Sequence, residues 1–254
     1  MSQPAPTIIA RDLRALGVRV GGVLLVHSSL RSLGLPTDLS AAARAEIAIQ
    51  GLLEALGPTG TLLMPALSYE AVGAHNPVFD ARSTPSCIGA LPEIFRCRPG
   101  TLRSIHPTHS VCGVGAGAVE LLADHIQSTT PVGPHSPFAK LPKVGGQILF
   151  LGCGTIRNTS MHGVEELVEP EYLYGSEIDY HIILADGTET AMRVRSHNFK
   201  GWEQRYDRLE NVMERGLRKG KVLNADCHLL EAAEMWDAAL RTMRNDPLYF
   251  VERS

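Results

Sequence analysis

His162 and Glu165 stand three residues apart in "NTSMHGVEELVEPE", just after the apolar run "ILFLGCG". On a helix that spacing puts both side chains on one face. A carboxylate there holds an imidazole in one tautomer and stabilises its protonated form, which is what a general base needs during turnover. Asn158, Thr159 or Ser160 would cap the helix and set His162 in its first turn. The positive end of the helix dipole disfavours imidazolium, so dipole and carboxylate pull in opposite directions. Two other readings stay open. The pair fits an ordinary polar helix face, because short polar spacings recur by accident. H-x-x-E is also half of a helical-bundle metal site, but no second copy of the spacing occurs and no metal is expected.

A second dense polar cluster is "RSIHPTHSVCG", with His106, Thr108, His109 and Ser110 together. Pro107 and the hydroxyl residues fit turn chemistry, and equally a loop offering hydroxyls and backbone donors to a ligand. A Ser–His–acid hydrolase is imaginable from these parts, but no G-x-S-x-G elbow exposes a serine at a strand end. Gly152 and Gly154 match only the first half of G-x-G-x-x-G, with Arg157 in the last place, and there is no P-loop. The five cysteines are odd in number and lack C-x-x-C, so neither a disulfide framework nor a thiolate zinc site is indicated. Cys153 is either an acyl-carrying nucleophile or a buried apolar cysteine.

The elements that must position these groups alternate helix and strand. "TIIARDLRALGV" reads as a helix with Thr7 as its cap and Gly17 at its end. Val23 to Val26, Thr61 to Met64 and Gln147 to Leu151 are continuous apolar runs, the pattern of strands buried on both faces. A long helix runs between the first two and closes at Gly57-Pro58. Residues 71–108 are irregular apart from a helical piece in "IGALPEIFRCRPG", and such stretches are commonly functional. "GAGAVELLADH" reads as a short helix. "EIDYHIILADGTETAMRVRSHNF" alternates around Asp186-Gly187, a hairpin signal. "RYDRLENVMERGLRKGKV" and "LLEAAEMWDAALRTMRNDPLYFV" read as two amphipathic helices. Met235 and Trp236 on the second serve either a homodimer interface or the core.

The fold class is therefore α/β, with a largely parallel central sheet flanked by helices and an antiparallel hairpin insertion, in a single domain over residues 1–254. In such sheets ligands bind beyond the carboxyl ends of the strands. The turns "VHSSLRS", "MPALSYE" and "LGCGTIRNTS" would share one rim. A net charge of −3 leaves no basic excess for nucleic acid. No apolar run reaches membrane-spanning length and no secretory pattern opens the chain, so no membrane partner and a cytoplasmic location are expected.

Taken in order, "LLVHSSLRSLG", "GPTGTLLMPALSYE", "FDARSTPSCIGALPEIFRCRPGTLRSIHPTHSVCGVG", "GPHSPFAKL", "ILFLGCGTIRNTSMHGVEE" and "DPLYF" resemble the antibiotic N-acetyltransferase family. This is the group of aminoglycoside 3-N-acetyltransferases, unrelated to the GNAT fold. The resemblance implies acetyl transfer from acetyl-coenzyme A to an amine, the 3-amino group of an aminoglycoside-like acceptor, and links the chain to antibiotic resistance. It implies that His162 removes the amine proton and that Glu165 orients and supports it. It further implies a coenzyme A channel lined by Ser28, Ser29, Leu30, Arg31, Ser32, Thr108, His109 and Ser110, with the turn from Ser136 to Phe138 added. Tyr69, Glu70 and Thr159 are the residues expected to meet the acceptor. Glu70, Glu165, Glu166, Glu169 and Glu171 either attract a polyamine or form a solvated acidic face. An amine metabolite other than an aminoglycoside, or coenzyme A binding without turnover, are the alternatives.

Overall fold

Three apolar runs without polar alternation form the parallel strands expected of them, buried on both faces. The computed structural model describes residues 4–254. Its first half contains α1 (Ala5–Leu16), β1 (Val23–Ser28), α2 (Ala41–Leu56), β2 (Thr61–Pro65), β3 (Val78–Asp80), α3 (Ala90–Cys97), β4 (Leu102–Arg103), β5 (Val111–Gly115) and α4 (Ala118–Ala123). The second half contains α5 (Pro137–Lys140), β6 (Gln147–Leu151), α6 (Met161–Val168), β7 (Tyr174–Ile183), β8 (Glu189–His197) and β9 (Trp202–Gln204). It ends with α7 (Leu209–Val212), β10 (Leu217–Val222), β11 (Ala225–Glu231), α8 (Ala232–Asn245) and β12 (Val251–Arg253).

The main sheet has the order β10-β11-β6-β1-β2-β5-β4. Its centre, β6-β1-β2, is parallel. Antiparallel strands extend it on both sides, β11 against β6 and β5 against β2. Alternate residues of the central strands feed two cores. Leu24, Val26, Leu62, Met64, Leu149 and Leu151 pack under α1, α2 and α3. Leu25, Leu63, Ile148 and Phe150 pack under α4, α6 and α8. Each fully buried Leu or Phe here is worth roughly 1.5–3 kcal/mol. The hairpin β7–β8 forms around Asp186-Gly187 as the alternation requires, and β3 joins its outer edge.

The structure departs from the sequence reading in two places. Thr7 caps nothing: α1 begins at Ala5 behind Pro4, and Pro6 occupies the first turn, where a missing N–H costs nothing. Residues 205–222 are not one helix. Leu209–Val212 is α-helical behind a 3₁₀ turn at Tyr206–Arg208, and Leu217–Val222 is a strand, because β11 offers it a full antiparallel ladder through a turn at Leu223. Residues 111–115, rich in glycine, form β5. Of the two roles left open for Met235 and Trp236 the core is the one seen: Met235 is wholly buried, and Trp236 packs against Gly163 of α6.

β6 leaves the sheet through Gly152, whose φ of 71° lies in the left-handed region. A Cβ there would stand 2.5 Å from Cβ of Ser32 and 3.2 Å from that of Ala225. Backbone strain and overpacking add, so Gly152→Ala is expected to cost about 2–4 kcal/mol. At roughly 2–4 °C per kcal/mol for a chain of this size, thermal denaturation will show a clear fall in Tm. An unchanged Tm would mean the turn is not held as described.

Candidate active site

The carboxyl ends of β1, β2 and β6 open onto one cavity of about 1140 Å³. Its wall includes Ser28 and Ser29 at the end of β1, Leu67, Tyr69 and Glu70 after β2, and Gly152 to Gly154 after β6. Thr108 and His109 come from the loop before β5, and Asn158, Thr159 and His162 from the start of α6. The shared rim expected for the three turns is therefore present.

Helix α6 starts at Met161 without a side-chain cap. Ser160 occupies the cap position, and its amide donates to Oδ1 of Asn158 instead. His162 is the second helical residue, and its Nδ1 lies 2.8 Å from Oε2 of Glu165. Glu165 is fully buried. Tyr206 donates its hydroxyl to Oε2 at 2.9 Å, and the same hydroxyl is 3.1 Å from His162 Nδ1. Tyr172 donates to Oε1 at 2.9 Å. Burial beside this carboxylate drives both tyrosines far above the ordinary phenol range, so both remain donors. With Nδ1 committed, Nε2 is the nitrogen that His162 has left for chemistry. Phe199 and His197 flank the ring at 5.2 and 5.0 Å between centroids.

Glu166 turns the other way and is equally engaged. It accepts from the Thr130 hydroxyl at 2.5 Å and the Val132 amide at 2.8 Å, and pairs with Nε2 of His197 at 2.9 Å. The solvated acidic face considered for this helix is thus wrong for Glu165 and Glu166, because each supplies a buried network. Glu169 and Glu171 are exposed.

Other expected contacts separate cleanly. Ser28, Ser29, Tyr69, Glu70, Thr108, His109, Thr159 and His162 line the cavity. Leu30, Arg31 and Ser32 form a 3₁₀ turn beside it: Leu30 packs on the core, Arg31 is exposed, and Ser32 donates to the Gly152 carbonyl at 2.9 Å. Ser110 is buried, bonded to Arg103 and to the Ala66 carbonyl. Ser136 caps α5, and Phe138 is fully buried in the core, so neither reaches the cavity. Sequence reasoning missed Tyr206, Tyr172, His197 and Phe199, which carry no spacing relation to His162.

A chain of histidines supports the wall from behind. His106 Nδ1 accepts from the amides of Thr108 and His109, fixing that loop. His106 stacks on His125 at 4.8 Å, and His125 Nδ1 meets the Ser104 hydroxyl at 2.8 Å. Burial pushes His125 down to about 3 and holds His106 and His109 well below their ordinary value. His27, stacked on Phe150, is pushed down to about 3 by burial and then by nearby His162. Burial also lowers His197, against the pull of Glu166. Cys153, on the wall, is pushed up to about 12 by burial, which leaves little thiolate.

These depressed histidines bind fewer protons folded than unfolded below pH 6.5. Their stabilisation is complete above about pH 6.5 and is lost as pH falls towards 3. His27 and His125 should each remove roughly 1.4 kcal/mol per pH unit in that window. Denaturant melts between pH 7 and 5 are expected to show this decline, and His125→Gln to flatten its slope. A flat wild-type profile would contradict the burial of these rings.

The sequence profile described as aminoglycoside 3-N-acetyltransferase matches residues 25–244. The chain is 32% identical over 271 residues to aminoglycoside N(3)-acetyltransferase VII of Streptomyces paromomycinus, covering 93% of this chain and 90% of that one. It superposes with a TM-score of 0.81 at 28% identity on a mutant of aminoglycoside acetyltransferase AAC(3)-IVa in complex with a gentamicin, covering 98% of this chain and 92% of the other. It superposes with a TM-score of 0.80 at 26% identity on AAC-IIIb in a binary complex with CoASH, covering 94% and 96%.

Proposed function

The chain belongs to the aminoglycoside 3-N-acetyltransferase family, and on that premise we propose that it acetylates an amine of an aminoglycoside-like acceptor, at the 3-amino group, through His162 and Glu165. Acetyl-coenzyme A is the cosubstrate, as the likeness to a coenzyme A complex supports. The observation that carries the residue roles is the tie between His162 Nδ1 and the fully buried Glu165, in a ring that lines the cavity at the strand ends.

An ammonium group has no lone pair to attack with, so the acceptor nitrogen must react as the neutral amine. As it bonds to the thioester carbonyl carbon, His162 Nε2 takes one of its protons. Glu165 stabilises the imidazolium that forms, and Tyr206 and Tyr172 hold Glu165 in place. The tetrahedral intermediate then collapses, the carbon–sulfur bond breaks, and the coenzyme A thiolate leaves with the proton that His162 returns. Thr159 faces the same cavity and suits the oxyanion. The scarcity of thiolate at Cys153 favours direct transfer over an acyl-cysteine. Ser28, Ser29, Thr108 and His109 suit the pantetheine arm, and Tyr69 with Glu70 suits the acceptor.

A second reading has an observation behind it. Among the described lining residues Glu70 is the one carboxylate facing the cavity, with Arg157 on the same wall. A polyamine antibiotic would meet little countercharge there, which favours an amine metabolite of lower positive charge.

His162→Ala is expected to lower kcat by roughly a hundred- to ten-thousandfold while coenzyme A still raises the Tm of the variant. Turnover that survives the substitution would take His162 out of the base role. In a thiol-release assay, kcat/KM for aminoglycosides should exceed that for simple diamines; the reverse order would transfer the assignment to the second reading.

A further inference from the structure

Three imidazoles meet on the cavity wall. One ring nitrogen from each of His109, His162 and His197 lies within 4.8 Å of the others. One nitrogen of each ring is already held. Thr108 Oγ1 is 2.9 Å from His109 Nδ1, Glu165 and Tyr206 engage His162 Nδ1, and Glu166 engages His197 Nε2. The nitrogen left over on His197, Nδ1, is buried and has no hydrogen-bond partner among the described residues. A carboxylate behind an imidazole fixes its tautomer and raises the basicity of the far nitrogen, which is how metal-ligating histidines are supported. Here that arrangement occurs twice, behind His162 and His197, and the Thr108 hydroxyl holds the third ring; the three rings come from three different segments of chain.

We propose that His109, His162 and His197 form a three-histidine site for a late first-row divalent ion, zinc foremost, and that the bound ion shuts off acetyl transfer by occupying the His162 lone pair. The inhibitory half rests on His162 being the base. The metal is not a cofactor of the transfer but a ligand that competes with it. Zinc–nitrogen bonds of about 2.0–2.1 Å in tetrahedral geometry put ligand nitrogens roughly 3.3 Å apart. The rings must therefore close by about 1.5 Å at most, a small side-chain rotation about hydrogen bonds that stay made. The fourth position opens to the cavity, where water or the acceptor amine completes the shell. An all-imidazole set selects zinc, copper or nickel over magnesium and calcium, which require oxygen.

The test is zinc content after equilibration of the full chain with micromolar zinc sulfate and removal of free ion, with cobalt(II) absorption as the reporter of coordination. One ion per chain is expected, with magnesium not retained. His109→Ala and His197→Gln should each weaken binding at least a hundredfold, and Glu166→Gln ten- to a hundredfold, as loss of a supporting carboxylate does. Far-ultraviolet circular dichroism and a cooperative thermal melt verify that each variant is folded. Failure of the wild type to retain zinc, or equal retention by folded variants, would overturn the site. Zinc held in the wild type and lost in the variants, with acetylation undiminished, would keep the site, overturn the inhibition, and indict the base assignment instead.

Discussion

A carboxylate with no access to water must have both oxygens met by donors, or its burial costs several kcal/mol. Glu165 is in that position, and the candidate site is arranged around it. One oxygen takes His162 and Tyr206, and the other takes Tyr172. Tyr172 follows α6, whereas Tyr206 arrives from more than forty residues on, in the turn before α7. The carboxylate thereby ties together the α6 start, the segment before β7 and the segment before α7. An imidazole held this way has one orientation, set by a carboxylate that the two tyrosines hold in place.

The same logic operates behind the wall. Glu166 anchors His197 and the loop at Thr130 to Val132, while His106 and His125 hold the loop that presents Thr108 and His109. Burial holds these rings uncharged, so His109 and His197 line the cavity as hydrogen-bonding groups rather than cations. Hydrophobic packing of the two cores fixes the platform. The polar networks then fix the side chains on it to within the tolerance that proton transfer requires.

The sheet brings this convergence about with little chain. Parallel strands β1, β2 and β6 deliver three exits to one rim, and each exit needs only a few residues to reach the cavity. Gly152 lets β6 turn sharply against Ser32 without a side chain in the way. Ser32 and Phe138, both expected to touch ligand, instead hold that turn and fill the core. Polar or aromatic character in a turn does not say whether a side chain faces outward to ligand or inward to backbone.

What the amino-acid sequence determined by itself was local. Apolar runs without alternation specified the three central strands, alternation around Asp186-Gly187 specified the hairpin, and the three-residue spacing put His162 and Glu165 on one helical face. Resemblance of ordered motifs added the family. Tertiary structure decided the rest, because it depends on contacts between distant segments. It turned residues 217–222 from an apparent helix into a strand once β11 supplied a ladder. It buried Glu165 and Glu166 where solvent had been an equal expectation, and it brought Tyr206 and His197 to His162 from segments with no periodic relation to it. Periodicity reports which face of an element is apolar, and only packing reports what that face meets.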